Sequence, residues 1–255
     1  MPPQLPWLEP HAPFPAPTLA WGEGDPAPGL LAAGGALDVA SLCAAYAQGT
    51  FPWYGPGQPI LWWAPDPRMV LPVAEFRLRR SLRKKLQAFR RQAAHCEIRI
   101  DSHFGPVINA CANSPRAGQA GTWILPTMVQ AYCELHAAGY AHSVETWIDG
   151  ELAGGLYGVN VGRMFFGESM FSTQTDASKM AFYALMLLGR ENRLPWVDCQ
   201  LVNDHLLSLG ACTLSRHAYL NSLQDVIKHP PIDWKKYQDS VFSSKTIAQY
   251  ARLLE

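Results

Sequence analysis

The chain has 255 residues, 48% of them hydrophobic and 16% charged, with 21 Lys and Arg set against 21 Asp and Glu. That is enough for one large domain or two smaller ones around a buried core, and too few charges for a disordered protein. Scattered glycines, the lack of a sustained heptad and only six cysteines exclude collagen-like, coiled-coil and disulfide-stapled classes. The neutral total hides an uneven distribution: residues 1–67 hold no Lys or Arg, whereas Arg77 to Arg91 hold eight bases and no acid.

Nine of the 21 prolines precede residue 29, so residues 1–28 are expected to be extended or poorly ordered, with regular structure from about Gly29. This Arg-free opening fits neither a secretory signal nor a mitochondrial presequence, and a cytoplasmic protein is expected. Asp38 is placed to cap a helix whose Leu42 and Tyr46 share one face and whose end is marked by Gly49. In FPWYGPGQPILWWAPDPR four Trp and Tyr rings alternate with five prolines, which predicts a stiff, irregular platform. Trp62 and Trp63 are expected to pack between domains.

In RLRRSLRKKLQAFRR, Leu78, Leu82, Leu86 and Phe89 form one apolar stripe, which predicts a helix with cationic exposed faces. Cys96 to Ile100 reads as a strand, and Pro126 to Ala138 as a helix ended by Gly139. From His142 the period changes to two, with hairpin turns at Asp149-Gly150 and near Gly162, predicting a three-stranded antiparallel meander. An apolar helix to Leu188, started by Asp176 or Ser178, the strand WVDCQLV and a helix in NDHLLSLGA follow. The polar stretch after about Pro231 reads as an appended tail. The expected organisation is a small N-terminal domain over residues 1–66 and a second domain over 67–255.

The sequence contains no phosphate-binding loop, dinucleotide fingerprint, H-E-x-x-H zinc motif or nucleophile elbow. The cysteines form no C-x-x-C pair and read as core thiols. His95, His103, His136, His142, His205 and His217 show no metal spacing. No metal and no cofactor are expected; His142 and His205 are read first as structural. The order helix, strand, helix, meander, helix, strand resembles the GNAT acyltransferase layout, an α/β (α+β) fold with a mixed, mainly antiparallel sheet. No Gln or Arg is followed by Gly three positions on, so the pyrophosphate loop for acetyl-CoA is missing. An acyl donor other than CoA is implied.

Seven segments in order sharpen this: FPWYGPGQPILWWAPDPR, GTW at 121–123, HSVE at 142–145, GGLYGV at 154–159, FFGESMFS at 165–172, DASK at 176–179 and DCQLVNDHLLSLGA at 198–211. Together they resemble the leucyl/phenylalanyl-tRNA-protein transferase family from about Gly29 to Leu220. The resemblance implies transfer of Leu or Phe, and less readily Met, from charged tRNA to the N-terminal Arg or Lys of acceptor proteins, marking them for N-end-rule degradation. It implies that Tyr46, Trp53, Trp123 and Tyr132 frame the terminal adenosine and the aminoacyl side chain by stacking and apolar contact. A monomer without membrane association is expected.

The residues suit that reaction. The donor is an activated ester, and the nucleophile is an α-amine, roughly a tenth of it neutral at pH 7. Alternation places Asp198 and Gln200 on one face of a strand. Asp198 is assigned to fix and polarise its surroundings, Gln200 to orient the amine, and Glu168 to bind the incoming α-amine or the acceptor's basic side chain. Asp198 and Gln200 could instead satisfy backbone groups. Leu156, Met170 and Phe171 are candidates for an apolar side-chain pocket or ordinary core, and Asn203 for a ribose contact or a helix cap. Arg77, Arg79, Arg80, Arg83, Lys84 and Lys85 are assigned to tRNA phosphates. Three rival readings remain: an acyl-CoA N-acetyltransferase, a non-catalytic RNA-binding module, and an aminoacyl-tRNA-dependent ligase that builds cell-wall bridges on a lipid-linked amine.

Overall fold

A computed structural model of the protein describes residues 4–76, 83–84, 96–114, 122–238 and 242–243. Its first strand, β1 (Trp7–Leu8), runs parallel to β2 (Leu30–Gly34), pairing Trp7 with Ala33. The opening is therefore ordered well before Gly29. It is held from a distance by Arg216, whose guanidinium donates to the carbonyls of Ala64, Ala20 and Trp21 at 2.8, 2.8 and 3.1 Å. Helix α1 (Val39–Ala47) starts at Asp38, whose carboxylate accepts from Ser41 N at 2.8 Å, and buries Leu42 and Tyr46 as the spacing predicts.

Strands β3 (Phe51–Pro52) and β4 (Leu61–Trp63) complete a four-stranded sheet in the order β1-β2-β4-β3. The aromatic, Pro-rich stretch thus contains short strands where an irregular platform was expected, because its prolines fall mostly between the paired residues. Trp62 is fully buried within this layer, its indole donating to Gly34 O at 2.9 Å, and Trp63 donates to Trp53 O at 2.6 Å. Both tryptophans anchor the small sheet itself.

Strand β5 (Arg68–Pro72) opens the larger sheet, followed by β6 (Cys96–Ile100), α2 (Phe104–Asn113) and α3 (Pro126–Ala137). The meander is β7 (Ala141–Ile148), β8 (Glu151–Val161) and β9 (Met164–Ser172); Asp149 and Gly150, both with positive φ, form its first turn. Next come α4 (Ala177–Glu191), β10 (Trp196–Gln200), α5 (Asp204–Leu207), β11 (Cys212–Leu214), α6 (Arg216–Val226), α7 (Lys235–Gln238) and β12 (Phe242–Ser243).

The eight strands run β11-β5-β10-β9-β8-β7-β6-β12. Only β9 and β10 pair in parallel; the other neighbours are antiparallel. Buried residues of α4, such as Met180 and Leu187, pack with Val144, Leu156 and Phe165 in one core layer. Residues of α1, α2 and α3 join Tyr157, Val159 and Phe166 in the other, which continues without a break into the small sheet. Helix α2 lies where no element was expected. Its Pro106 falls in the first turn, where Pro removes an N–H that has no helical partner anyway.

The segment after Pro231 is no loose tail in its described part. Ile232, Trp234 and Tyr237 are buried, and Asn160 Oδ1 accepts from Ile232 N and Trp234 Nε1 at 3.0 and 2.9 Å. The Trp234 ring stacks on His142 at 4.3 Å. Trp234→Phe, which deletes the indole donor, should lower unfolding free energy in urea by about 1–2 kcal/mol.

Candidate active site

The large sheet shifts register between β7 and β8 at Thr146/Trp147, and twice more where β9 and β10 lie side by side. Between β8 and β9, Tyr157 pairs with Ser169 and Gly158 with Gly167, leaving Glu168 as the extra residue of a bulge. Between β5 and β10, Asp198 pairs with Val70 and Gln200 with Met69, leaving Cys199 extra. Bulges bend a strand and redirect its side chains. Gly158 permits the first: a Cβ there would lie 2.2 Å from Phe166 O. At the second, Gln200 takes a left-handed φ of 62°.

The parallel pairing of β9 and β10 is recorded at Phe165–Val197 and Phe166–Asp198, while β9 continues to Ser172. Beyond that pairing lies a cavity of about 240 Å³ walled on its apolar side by residues including Leu156, Met170, Phe182 and Leu206, with Glu168, Asp198, Gln200 and Asn203 also on its wall.

Glu168 is buried and accepts from Tyr46 Oη at 2.7 Å, Gln200 Nε2 at 2.7 Å and Tyr132 Oη at 3.2 Å. Burial pushes its carboxyl up to about 7 in spite of these hydrogen bonds. Burial and the nearby Glu168 in turn hold the Tyr46 and Tyr132 hydroxyls well above the usual phenol range.

Asp198, fully buried, faces the Arg68 guanidinium in a bidentate pair: Nε to Oδ1 at 2.9 Å and Nη2 to Oδ2 at 2.6 Å. Tyr219 Oη donates to Oδ2 at 2.7 Å and Gln200 N to Oδ1 at 2.8 Å. Burial alone would lower the Arg68 pKa, but the Asp198 charge and its hydrogen bonds, together with Tyr219 and Glu168, outweigh it and the guanidinium stays protonated. The Arg68 head lies 4.8 Å from the centroids of both the Phe51 and Tyr219 rings. Burial, then the Asp198 charge, push the Cys199 thiol far up, so it supplies no thiolate nucleophile.

The structure brings Asp198, Gln200, Glu168, Tyr46 and Tyr132 together, with two differences from the expected geometry. Gln200 does not simply share a face with Asp198, because the left-handed residue interrupts the period of two; its backbone N–H binds Asp198 while its amide reaches Glu168. Tyr46 and Tyr132 are fully buried, with Tyr46 against Phe166 and Tyr132 against Tyr157, so they present hydroxyls to the site and no ring face for stacking an adenine.

Leu156 and Met170 line the cavity, but Phe171 is buried in the opposite core layer, since the bulge at Glu168 reverses the alternation after it. Asn203 lines the cavity and also caps α5, its Oδ1 accepting from Leu206 N at 3.2 Å. Trp53 and Trp123 are half-buried and stand outside the cavity wall; Trp53 packs against Trp63 at 5.4 Å. Arg83 and Lys84 are exposed on a helical stretch, while Arg77, Arg79, Arg80 and Lys85 lie outside the described residues.

Arg68 and Tyr219 escaped sequence reasoning because they lie 130 residues before and 21 residues after Asp198. The fold also gathers Asp101, His136 and His142, whose spacing in sequence showed nothing. There His142 Nδ1 lies 2.7 Å from Asp101 Oδ2 and His136 Nδ1 lies 2.8 Å from Ala141 O, so protein partners already occupy these nitrogens.

Residues 70–224 match the leucyl/phenylalanyl-tRNA protein transferase family, and residues 35–66 match the N-terminal domain of the same family. A leucyl/phenylalanyl-tRNA–protein transferase of Albidiferax ferrireducens is 59% identical over 222 residues, covering 87% of each chain. Similar proteins of the same name from Polaromonas sp. and Burkholderia pseudomallei are 54% and 49% identical, covering 92% of both chains and 91% and 90% respectively. With matches of this extent on both the small and the large sheet, the chain belongs to the leucyl/phenylalanyl-tRNA protein transferase family.

Proposed function

We propose that the protein transfers Leu or Phe, and Met less readily, from charged tRNA to the N-terminal Arg or Lys of acceptor proteins in the cytoplasm, acting as a monomer and marking them for degradation. The observation that carries this reading is the convergence of Glu168, Gln200 and Asp198 on one apolar cavity between β9 and β10. The aminoacyl ester brings its own activation, so the reaction calls for no metal or cofactor. The neutral acceptor amine attacks the ester carbonyl, the new C–N bond replaces the C–O bond to the terminal ribose, and one proton passes from nitrogen to the ribose oxygen.

Holding amine and ester together can supply ~7–11 kcal/mol in ideal cases. Gln200 orients the attacking amine, Asp198 fixes Gln200 through its backbone N–H, and Glu168 holds the ammonium of the aminoacyl group. An apolar pocket separates side chains differing by a methylene only ~10- to 200-fold, which suits Leu156 and Met170 in a site that accepts Leu, Phe and some Met.

Separate offers of Phe-tRNA, Leu-tRNA and acetyl-CoA, with peptides beginning in Arg, Lys or Ala, test the reading by N-terminal mass increase. Addition of Phe or Leu to Arg- and Lys-peptides is expected; acetylation, or no addition to any peptide, would overturn it. The basic stretch carries a separate expectation. Replacing Arg80, Arg83 and Lys84 with Gln should raise KM for charged tRNA and reduce its log–log salt slope by about 2–3, at roughly 0.7–0.9 for each phosphate no longer neutralised.

A further inference from the structure

Tyr46, Tyr132 and Glu168 close a ring of oxygens through three contacts: Tyr46 Oη to Glu168 Oε1 at 2.7 Å, Tyr132 Oη to Glu168 Oε2 at 3.2 Å, and hydroxyl to hydroxyl at 2.5 Å. Two phenol protons fill only two of them. With Glu168 ionised, one pair of oxygens would face each other with no hydrogen between them. All three residues are buried, so water is poorly placed to relieve that contact. A proton on Glu168 completes the ring: Oε2–H donates to Tyr132, Tyr132 to Tyr46, and Tyr46 to Oε1. Gln200 Nε2 donates to Oε1 in either state.

The surroundings favour the neutral form. Asp198, from β10, adds negative charge, while Arg68, from β5, is paired with Asp198 and acts on Glu168 without an ion-pair contact. Tyr157 of β8 and His205 of α5 also line the cavity. Among the described residues no ion pair involves Glu168. An arriving primary ammonium would be the first cation in contact with this carboxyl, and a cation favours the charged form.

We propose that Glu168, Tyr132 and Tyr46 share one extra proton in the free site, and that a primary ammonium entering the cleft displaces this proton to solvent, leaving Glu168 as the carboxylate that binds it. The inference rests on the reading of the cleft as an amine-binding site. Tyr46 and Tyr132 are then positioning residues: they store the ring's hydrogen bonds in the empty site and donate to the carboxylate in the filled one.

Carbon NMR of protein labelled with ¹³C at the glutamate side-chain carboxyls should show one glutamate still protonated at about pH 6, and that signal should vanish in Glu168→Gln. Calorimetric titration with a phenylalanyl-3′-aminoadenosine, whose amide link cannot be transferred like an ester, should be run at about pH 6 in two buffers of different ionisation enthalpy. The probe's own amine stays protonated there, so release of close to one proton per molecule bound is expected from wild type and none from Glu168→Gln.

Fully ionised glutamates in the free protein would overturn the resting ring, whatever the probe does. Binding without proton release would overturn its discharge. A protonated Glu168 in a protein that does not bind the probe would support the ring and refute the amine-binding reading beneath the discharge.

Discussion

Arg68→Met should lower the unfolding free energy by about 3–5 kcal/mol, the cost of leaving a buried charge without its partner. The carboxylate of Asp198 is fully buried and would keep only Tyr219 Oη and Gln200 N as donors. Joining the same change to Asp198→Leu should recover most of the loss in urea denaturation, since a well-packed apolar pair often matches a buried ion pair in stability. The double variant should nevertheless be severely impaired in aminoacyl transfer, because the Gln200 N–H then loses the carboxylate that fixes it. A double variant as active as wild type would show that the pair serves packing alone. The cycle separates the stability of the site from its chemistry, which either single substitution confounds.

Gln200→Ala should lower kcat about 100- to 1,000-fold, the usual loss on removing one aimed hydrogen-bond donor from a reacting centre. KM for charged tRNA should barely move, as the phosphate contacts are assigned elsewhere. Stability should stay within about 1 kcal/mol of wild type, since a left-handed residue other than glycine is costly before and after the change. Gln200→Asn tolerates the left-handed backbone but has an amide one methylene shorter, so it should fold normally and still fail to reach Glu168. A Gln200→Ala enzyme within a few-fold of wild-type kcat would remove Gln200 from the chemistry.

The meander, α1, α3 and α4 were legible because each shows its period over most of its length and carries its own start or stop: Asp38 before α1, Pro126 opening α3, Asp149-Gly150 between β7 and β8. What escaped depended on distant partners. The opening strand is fixed by β2 and Arg216, and the described part of the C-terminal segment by Asn160 and His142, none of which its own composition reveals.

At the site, residue types were readable but directions were not. Gln200 and Phe171 depart from simple alternation because a strand's period of two assumes an unbroken ladder, and bulges leave little trace in a single sequence. The same limit explains Tyr46 and Tyr132, whose aromatic character suggested stacking while their hydroxyls are what the fold delivers.

The slips of register at Glu168 and Cys199 also make the sheet and the site rivals for the same residues. Deleting Cys199 would let β10 continue in step with β5, and deleting Glu168 would do the same for β9 against β8. Either deletion relieves the backbone irregularity while removing or re-aiming the polar groups of the cavity. Among one-residue deletions in this protein, those two are the ones by which the sheet becomes more regular as the cleft loses its chemistry.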